Sequence, residues 1–264
     1  MEKILNILLI FLILCLFFNV SNFFLINENF NIITPLINKI YYINLDRRPE
    51  RNTHFLDLCK KHNLDMTNIK RFTGIDGMSY NFSKDEYNMF KNADFKNTDA
   101  ATKIMGNQLS HYYILKEMID NNYKYILIFQ DDVIFRDDFV DQINNLLNYI
   151  PNDAEIINFG FHKTSKWKDF EALDLNDPIE SKVSSKKDIN EMVCILGDNI
   201  NPCSLAYLVT LNGAKHLVEY FNKTGFLRAT DWNYTDYLVS KNINYATKTI
   251  LCTGNHKFES DIFK

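Results

Sequence analysis

The stretch Tyr125-Ile-Leu-Ile-Phe129, which runs into Gln130-Asp-Asp132, constrains this chain more than any other. Its residues are consecutive, apolar, and aromatic or branched, with no polar alternation. That pattern predicts a strand buried on both faces. Two adjacent carboxylates at the carboxyl end of such a strand cost free energy unless something neutralises them. In open α/β sheets that end is also where ligands bind. A divalent cation bridging a diphosphate meets both conditions, because hard carboxylate oxygens and substrate phosphates together complete a Mg²⁺ or Mn²⁺ shell. The competing reading makes Asp131 or Asp132 a cap on the following turn or helix, for which Asp is well suited.

Upstream, residues 40–45 (Ile-Tyr-Tyr-Ile-Asn-Leu) predict a first strand, followed by Asp46-Arg-Arg-Pro-Glu-Arg51 and an amphipathic helix over 52–62. Arg47, Arg48 and Arg51 cluster where strand hands over to helix. There, guanidinium donors and a positive helix end suit a diphosphate or sugar anion. A solvated basic turn paired to Asp46 and Glu50 is the alternative. Residues 68–72 predict a second strand, and Gly74-Ile-Asp-Gly77 a turn leaving it. Asp76 is placed to face a ribose or base, although an Asp before Gly also makes a turn unaided. A short helix is expected near 83–90. Residues 106–119 predict a helix whose apolar face is Leu109, Tyr112, Tyr113, Leu115, Met118 and Ile119. Ser110 and His111 fall near its expected start, within reach of a ligand phosphate or hydroxyl. A lone His more commonly serves structure. The β-α-β order with short links predicts a parallel, doubly wound sheet.

Downstream, residues 137–149 predict an amphipathic helix stopped by Pro151, 154–160 a buried strand, and 162–190 a charged surface flap carrying Trp167. Residues 202–210 predict a strand, 214–222 a helix, and 243–246 a last short strand. Asp231 and Asp236 lie five apart among aromatics. A base that activates an acceptor hydroxyl must be a carboxylate or His at the pocket mouth, so both are candidates. Asp231 also suits the N-cap of a helix over 232–239.

The chain has 264 residues, a net charge of -4 and a pI near 5.9. It therefore lacks the basic footprint of a nucleic-acid binder. Residues 4–18 are apolar except for Asn6. They predict an uncleaved N-terminal signal anchor over 1–26, followed by a stem over 27–38 and a folded body over 39–264; a cleaved signal peptide is the first alternative, and a buried soluble helix, against which the lack of a polar stripe argues, the second. That organisation implies a single-pass membrane protein with its body in a secretory lumen. Sequons at Asn81, Asn222 and Asn233 would be open to modification there. Of the five cysteines (15, 59, 194, 203 and 252) none forms a C-x-x-C pair, which argues against a zinc site. Cys194 and Cys203 are placed to pair in an oxidising compartment or to stay as free thiols.

Five segments taken in order resemble glycosyltransferase family 25, the lipopolysaccharide and procollagen galactosyltransferase-like enzymes. They are Asn44-Leu-Asp-Arg-Arg-Pro-Glu-Arg51, Arg71-Phe-Thr-Gly-Ile-Asp-Gly77, Gly106-Asn-Gln-Leu-Ser-His111, Gln130-Asp-Asp-Val133, and Ala206-Tyr207 with Gly213-Ala-Lys215. The similarity covers about residues 39–250, and five modest motifs in register are a strong signal. It implies a GT-A-like, doubly wound, mostly parallel sheet flanked by helices. It also implies a UDP-sugar donor (UDP-galactose or UDP-glucose first), Mn²⁺ or Mg²⁺ held by Asp131 and Asp132, and inversion at the sugar carbon. Arg47, Arg51, Asp76, Ser110, His111 and Gln130 would line the donor site. Asp231, or failing it Asp236, would deprotonate a hydroxyl of a glycan or protein acceptor. Gln130 stands where the family usually has Glu. That departure motivates the alternative of a weak or inactive relative that binds a nucleotide sugar or glycan. From outside the family, the third reading is a membrane-anchored interaction protein using Trp167 and the 162–190 loop.

Overall fold

Strand β3 (Tyr125–Gln130) lies at the heart of the computed structural model, with Ile126 to Phe129 fully buried. The structure describes residues 33, 36–161, 185–196, 203–255 and 257–262. The expected anchor and Cys15, all but part of the stem, most of the 162–190 flap with its Trp167, and His256 lie outside the described residues. Among the described residues no helix is long and apolar enough to cross a membrane.

Eight strands make the main sheet, in the order β2-β1-β3-β8-β5-β9-β7-β6. They are β1 (Lys39–Asn44), β2 (Ile69–Thr73), β3, β5 (Ile156–Asn158), β6 (Ser185–Asp188), β7 (Val193–Leu196), β8 (Ala206–Thr210) and β9 (Tyr245–Thr247). Strands β1, β2, β3, β5, β6 and β9 point one way; β7 and β8 run against them. The sheet is thus mixed: mostly parallel in strand direction, with β8 inserted antiparallel between β3 and β5. A separate two-stranded ribbon pairs β4 (Val133–Phe135) with β10 (Cys252–Gly254), Val133 opposite Gly254.

Helices flank the sheet: α1 (Pro49–Lys61), α2 (Lys84–Met89), α3 (Ala101–Asp120), α4 (Phe139–Leu146), α5 (Leu211–Thr224) and α6 (Thr230–Ser240). Pro49 opens α1, where a missing N–H costs nothing. Ser83 and Glu86 close a capping box on α2. The Thr210 hydroxyl accepts from the Gly213 N–H to cap α5. Aromatic rings fill the space under β3. Phe129 meets Phe55, Phe135, Phe139 and Phe159 at centroid distances of 5.2–6.0 Å, in tilted or edge-on arrangements.

Three expectations need correction. Helix α3 starts at Ala101, five residues before the expected start at Gly106. The run from Ala100 to Met105 holds no breaker, and Gly106 is an interior residue instead of a start. Residues 185–188 form an edge strand with every side chain exposed, outside any flap. Its Ser-Lys-Lys-Asp sequence lacks apolar alternation, and charge suits an unpaired edge. Asn233 is buried, and its side-chain oxygen accepts from the Leu227 and Arg228 N–H groups, so the third sequon is closed in the folded state. Among the described residues no disulfide joins Cys194 to Cys203, which agrees with the thiol alternative of the two left open above.

Truncating Phe129 to Ala removes the ring that four other rings pack upon. We expect a loss of about 3–5 kcal/mol, read as a shift of the urea midpoint at unchanged slope.

Candidate active site

The carboxyl ends of β1, β2 and β3 lie side by side, because β1 pairs parallel with both neighbours. This edge gathers most of the polar residues predicted from sequence. Asn44, the last residue of β1, is buried and acts as a hub. Its amide Nδ2 donates to Asp131 Oδ2 at 2.7 Å and to the Arg48 carbonyl at 3.0 Å, while its Oδ1 accepts from Arg71 Nε at 2.8 Å. Sequence reasoning passed over Asn44, although an amide ending an otherwise apolar strand was a legible signal.

Arg51, in the first turn of α1, reaches both acidic residues. Its NH1 lies 3.3 Å from Asp131 Oδ1 and 3.6 Å from Asp132 Oδ2. The Arg51 and Asp131 side chains are 7% and 8% exposed, so this pair is taken almost entirely out of water. Burial pushes the Asp131 carboxyl up to about 6; Asn44 and Arg51 pull it down, and the neighbouring Asp132 adds to the rise. Asp132 Oδ1 and Arg51 Nε are buried without a hydrogen-bond partner among the described residues. Such orphaned groups cost free energy and mark where a ligand would be welcome.

Arg47 joins this edge to the second strand, its Nε donating to Asp76 Oδ2 at 2.7 Å. Beside them opens a cleft of about 480 Å³ lined by Asp46, Arg47, Thr73, Asp76, Ser79 and Tyr80 among others. Tyr80, which sequence reasoning did not select, gives the cleft an aromatic wall.

The turn bearing Asp76 is locked onto α3. A Cβ on Gly77 would sit 1.8 Å from the Thr102 carbonyl oxygen, and one on Gly106 would sit 2.2 Å from that of Ile75. Only glycines allow that approach. Ser110 completes the joint: its Oγ accepts from the Ile75 N–H at 2.9 Å and donates to the Gly106 carbonyl at 2.7 Å. Because α3 starts early, Ser110 and His111 lie in its third turn and are buried instead of facing a ligand. His111 Nδ1 is 2.6 Å from the Tyr207 hydroxyl, and burial pushes the imidazole down to about 3, so it is neutral at ordinary pH. Gln130 Nε2 donates to Ser204 Oγ at 3.3 Å, toward the start of β8.

Asp231 and Asp236 lie on α6, whose N-cap is Ala229 instead of Asp231. Asp231 Oδ1 accepts from the Trp232 N–H at 3.0 Å. Asp236 is ion-paired with Arg228 at 3.1 Å. The Arg228 guanidinium stacks on the Trp232 ring, 4.0 Å from its centroid. A second cleft, of about 410 Å³, is lined here by Asp99, Ile104, Arg228 and Trp232 among others. Asn107 of α3 donates to Thr230 Oγ1 at 3.0 Å, so the start of α6 leans on the helix that holds the Asp76 turn.

Among the described residues no group of three or more His, Cys, Asp or Glu could hold a metal ion. Two carboxylates do suit a cation that takes its remaining ligands from a diphosphate and water, as Mg²⁺ commonly does. The unpartnered Asp132 oxygen fits that role. An all-protein cage does not fit.

Breaking a buried ion pair from one side strands the other charge. Asp131, with its folded value raised to about 6, weakens the fold as pH climbs from about 4 through 6 and is neutral below. Arg51→Met should therefore cost roughly 3–5 kcal/mol at pH 8 and clearly less at pH 5, where Asp131 holds its proton. Urea midpoints across this range check it, and adding Asp131→Asn should recover most of the loss.

The model of glycosyltransferase family 25 (LPS biosynthesis protein) matches residues 37–251. A glycosyltransferase 25 family member of Aedes aegypti is 27% identical over 202 residues, covering 69% of this chain and 28% of that protein. Procollagen galactosyltransferase 2 of Homo sapiens is 23% identical over 188 residues, covering 68% of this chain and 27% of that protein. The chain thus spans under a third of the length of the curated relatives it matches. Among solved structures, A197 from STIV aligns at a TM-score of 0.37 and 11% identity, over 80% of this chain and 81% of that one. A glycosyltransferase involved in glycosylation of the major capsid of PBCV-1 aligns at 0.33 and 7%, over 84% and 93%.

Proposed function

From the premise that this chain belongs to glycosyltransferase family 25, we propose that it transfers a hexose from a UDP-sugar to a hydroxyl of a glycan or protein acceptor, with inversion. UDP-galactose and UDP-glucose are the first donors to test. The observation that carries this reading is the buried Arg51–Asp131–Asp132 group at the open edge of the sheet, beside the Arg47–Asp76 cleft. Acid and base meet there with one orphaned acceptor and one orphaned donor, as a metal-diphosphate requires.

In this reading Asp132, with Asp131, would hold Mn²⁺ or Mg²⁺. The cation supplies charge stabilisation to the departing nucleotide. Arg47 and Arg51 add guanidinium donors to the phosphates. Asp76 faces a ribose hydroxyl, with Tyr80 as the wall of the nucleoside cleft. Ser110 acts at one remove by fixing Ile75 and so the Asp76 turn. His111, buried and neutral, supports β8 through Tyr207. On α6, next in sequence to Trp232 of the second cleft, Asp231 takes the proton as the acceptor oxygen attacks the sugar carbon and the UDP leaves. Asp236, held by Arg228, is the lesser candidate for that role. The apolar sequence of residues 4–18 supports an N-terminal membrane anchor with the body in a secretory lumen.

Release of UDP from UDP-galactose or UDP-glucose should require added Mn²⁺ or Mg²⁺. Asp132→Ala should lower it on the order of 100-fold or more with the circular dichroism spectrum unchanged. Metal-independent turnover, or full activity in Asp132→Ala, refutes these roles. A specific observation favours a second reading: Gln130 is neutral, and its amide is committed to Ser204. A binding-only relative would bind UDP by calorimetry yet form no product with any donor.

A further inference from the structure

Residues 257–262 fold back over the arginine turn, and one carboxylate of this segment gathers three guanidiniums. Asp261 Oδ1 accepts from Arg47 NH1 at 2.6 Å and from Arg48 Nε at 2.9 Å, and Asp261 Oδ2 lies 3.3 Å from Arg51 NH2. The Asp261 side chain is only 13% exposed. Its neighbours seat it: the Phe258 ring lies 5.3 Å from the Arg51 guanidinium carbon and edge-on to His54 at 5.2 Å, and Arg51 NH2 donates to the Glu259 carbonyl. The chain is led there by the β4–β10 ribbon, after which the Asn255 N–H donates to the Asp132 carbonyl at 2.6 Å. One strand of that ribbon starts directly after the acidic pair, and the other delivers the segment that covers the arginines.

Arg47 also meets Asp76, and Arg51 also meets Asp131 and Asp132, so the charge here is already largely balanced. The three guanidinium forks that converge on Asp261 nonetheless present more N–H donors than its two oxygens can accept, and a diphosphate offers more oxygens to the same forks. We propose that residues 257–262 are a built-in plug, with Asp261 occupying the seat of the donor diphosphate until a nucleoside diphosphate displaces it. This rests on the donor-site reading above. A tethered competitor acts at a high local concentration. It lowers the apparent affinity for the incoming ligand by the fraction of molecules left open. Docking also shields Arg51 and its two carboxylates from water while no donor is present.

The test uses the full-length chain, UDP with Mn²⁺, and two measurements. Calorimetry should show UDP binding tightened about tenfold or more in Asp261→Asn, the fold-change expected if the plug is docked in nine molecules of ten. In the unaltered protein, amide hydrogen exchange in residues 257–262 should speed up when UDP is added, a readout that does not depend on any variant folding. If UDP binds both proteins equally or binds the variant more weakly, and exchange in 257–262 stays slow with UDP bound, the plug is overturned while the donor site stands. If UDP binds neither protein, the donor site fails and the plug falls with it.

Discussion

A buried positive charge sets the terms for this molecule. Arg51 sits at the end of the sheet, nearly out of water, and cannot stay there without counter-charge. Asp131 and Asp132 at the end of β3 supply it on one side, and Asp261 supplies it on the other. Asn44 holds Asp131 in place from β1. Four separate pieces of chain (the end of β1, the first turn of α1, the end of β3, and residues 257–262) are thereby drawn to one point. Asp261 would be raised by burial alone, but the hydrogen bonds from Arg48 and Arg47, with the charges of Arg51 and Arg47, outweigh this and hold it below the usual carboxylate range. The network is thus fully charged where it is most compact. Asp131 is the exception, poised near 6 and sensitive to whatever cation comes next to it.

Helix α3 is the second organising element, because its first three turns serve both clefts. Thr102 and Gly106 take the backbone of the Asp76 turn at distances only glycine permits, and Ser110 ties the Ile75 N–H. The same stretch gives Ile104 to the Trp232 cleft, bonds Asn107 to Thr230, and accepts the Asn233 amide on Gln108 Oε1 at 2.9 Å. Asp76 and Asp231 are therefore referenced to one rigid element. A reaction between two bound substrates depends on such fixed relative placement, since orientation supplies a large part of the rate.

Much of this was legible in the chain itself. The apolar run before Asp131 identified a central strand, and the arginines after β1 were placed together at the strand-to-helix turn, because strand ends and helix starts have local signatures; of the expected partners Glu50 does meet Arg48, but Asp46 pairs with Arg71 instead. Asp261 was not legible. Its role comes from the β4–β10 ribbon, a pairing across more than a hundred residues that no local pattern announces. The misplacement of Ser110 and His111 has a simpler cause. Gly106 reads as a helix boundary by propensity, at a cost of about 1 kcal/mol inside a helix, yet contact with Ile75 requires it there. Tertiary contact overrode the local preference, and the two residues moved from the expected helix start into the core. The antiparallel β8 was missed because its buried sequence carries no sign of direction.

Gln130 can be understood through the same electrostatics. It precedes a pair of carboxylates of which one already resists ionisation because of burial and its neighbour. A third carboxylate at 130 would add like charge beside them, and Arg51 is already shared between two. The amide instead bonds Ser204 at the entry to β8, which ties the edge of β3 to the strand beside it without adding charge. Loss of a negative charge at this position lowers the demand for a cation in the ligand-free protein. The two remaining aspartates and the arginine then balance more nearly among themselves, and Asp261 has the outer guanidiniums to cover. In this chain the neutral residue at 130 limits the negative charge beside Asp131 and Asp132, and the acidic residue at 261 covers the arginines from the other side.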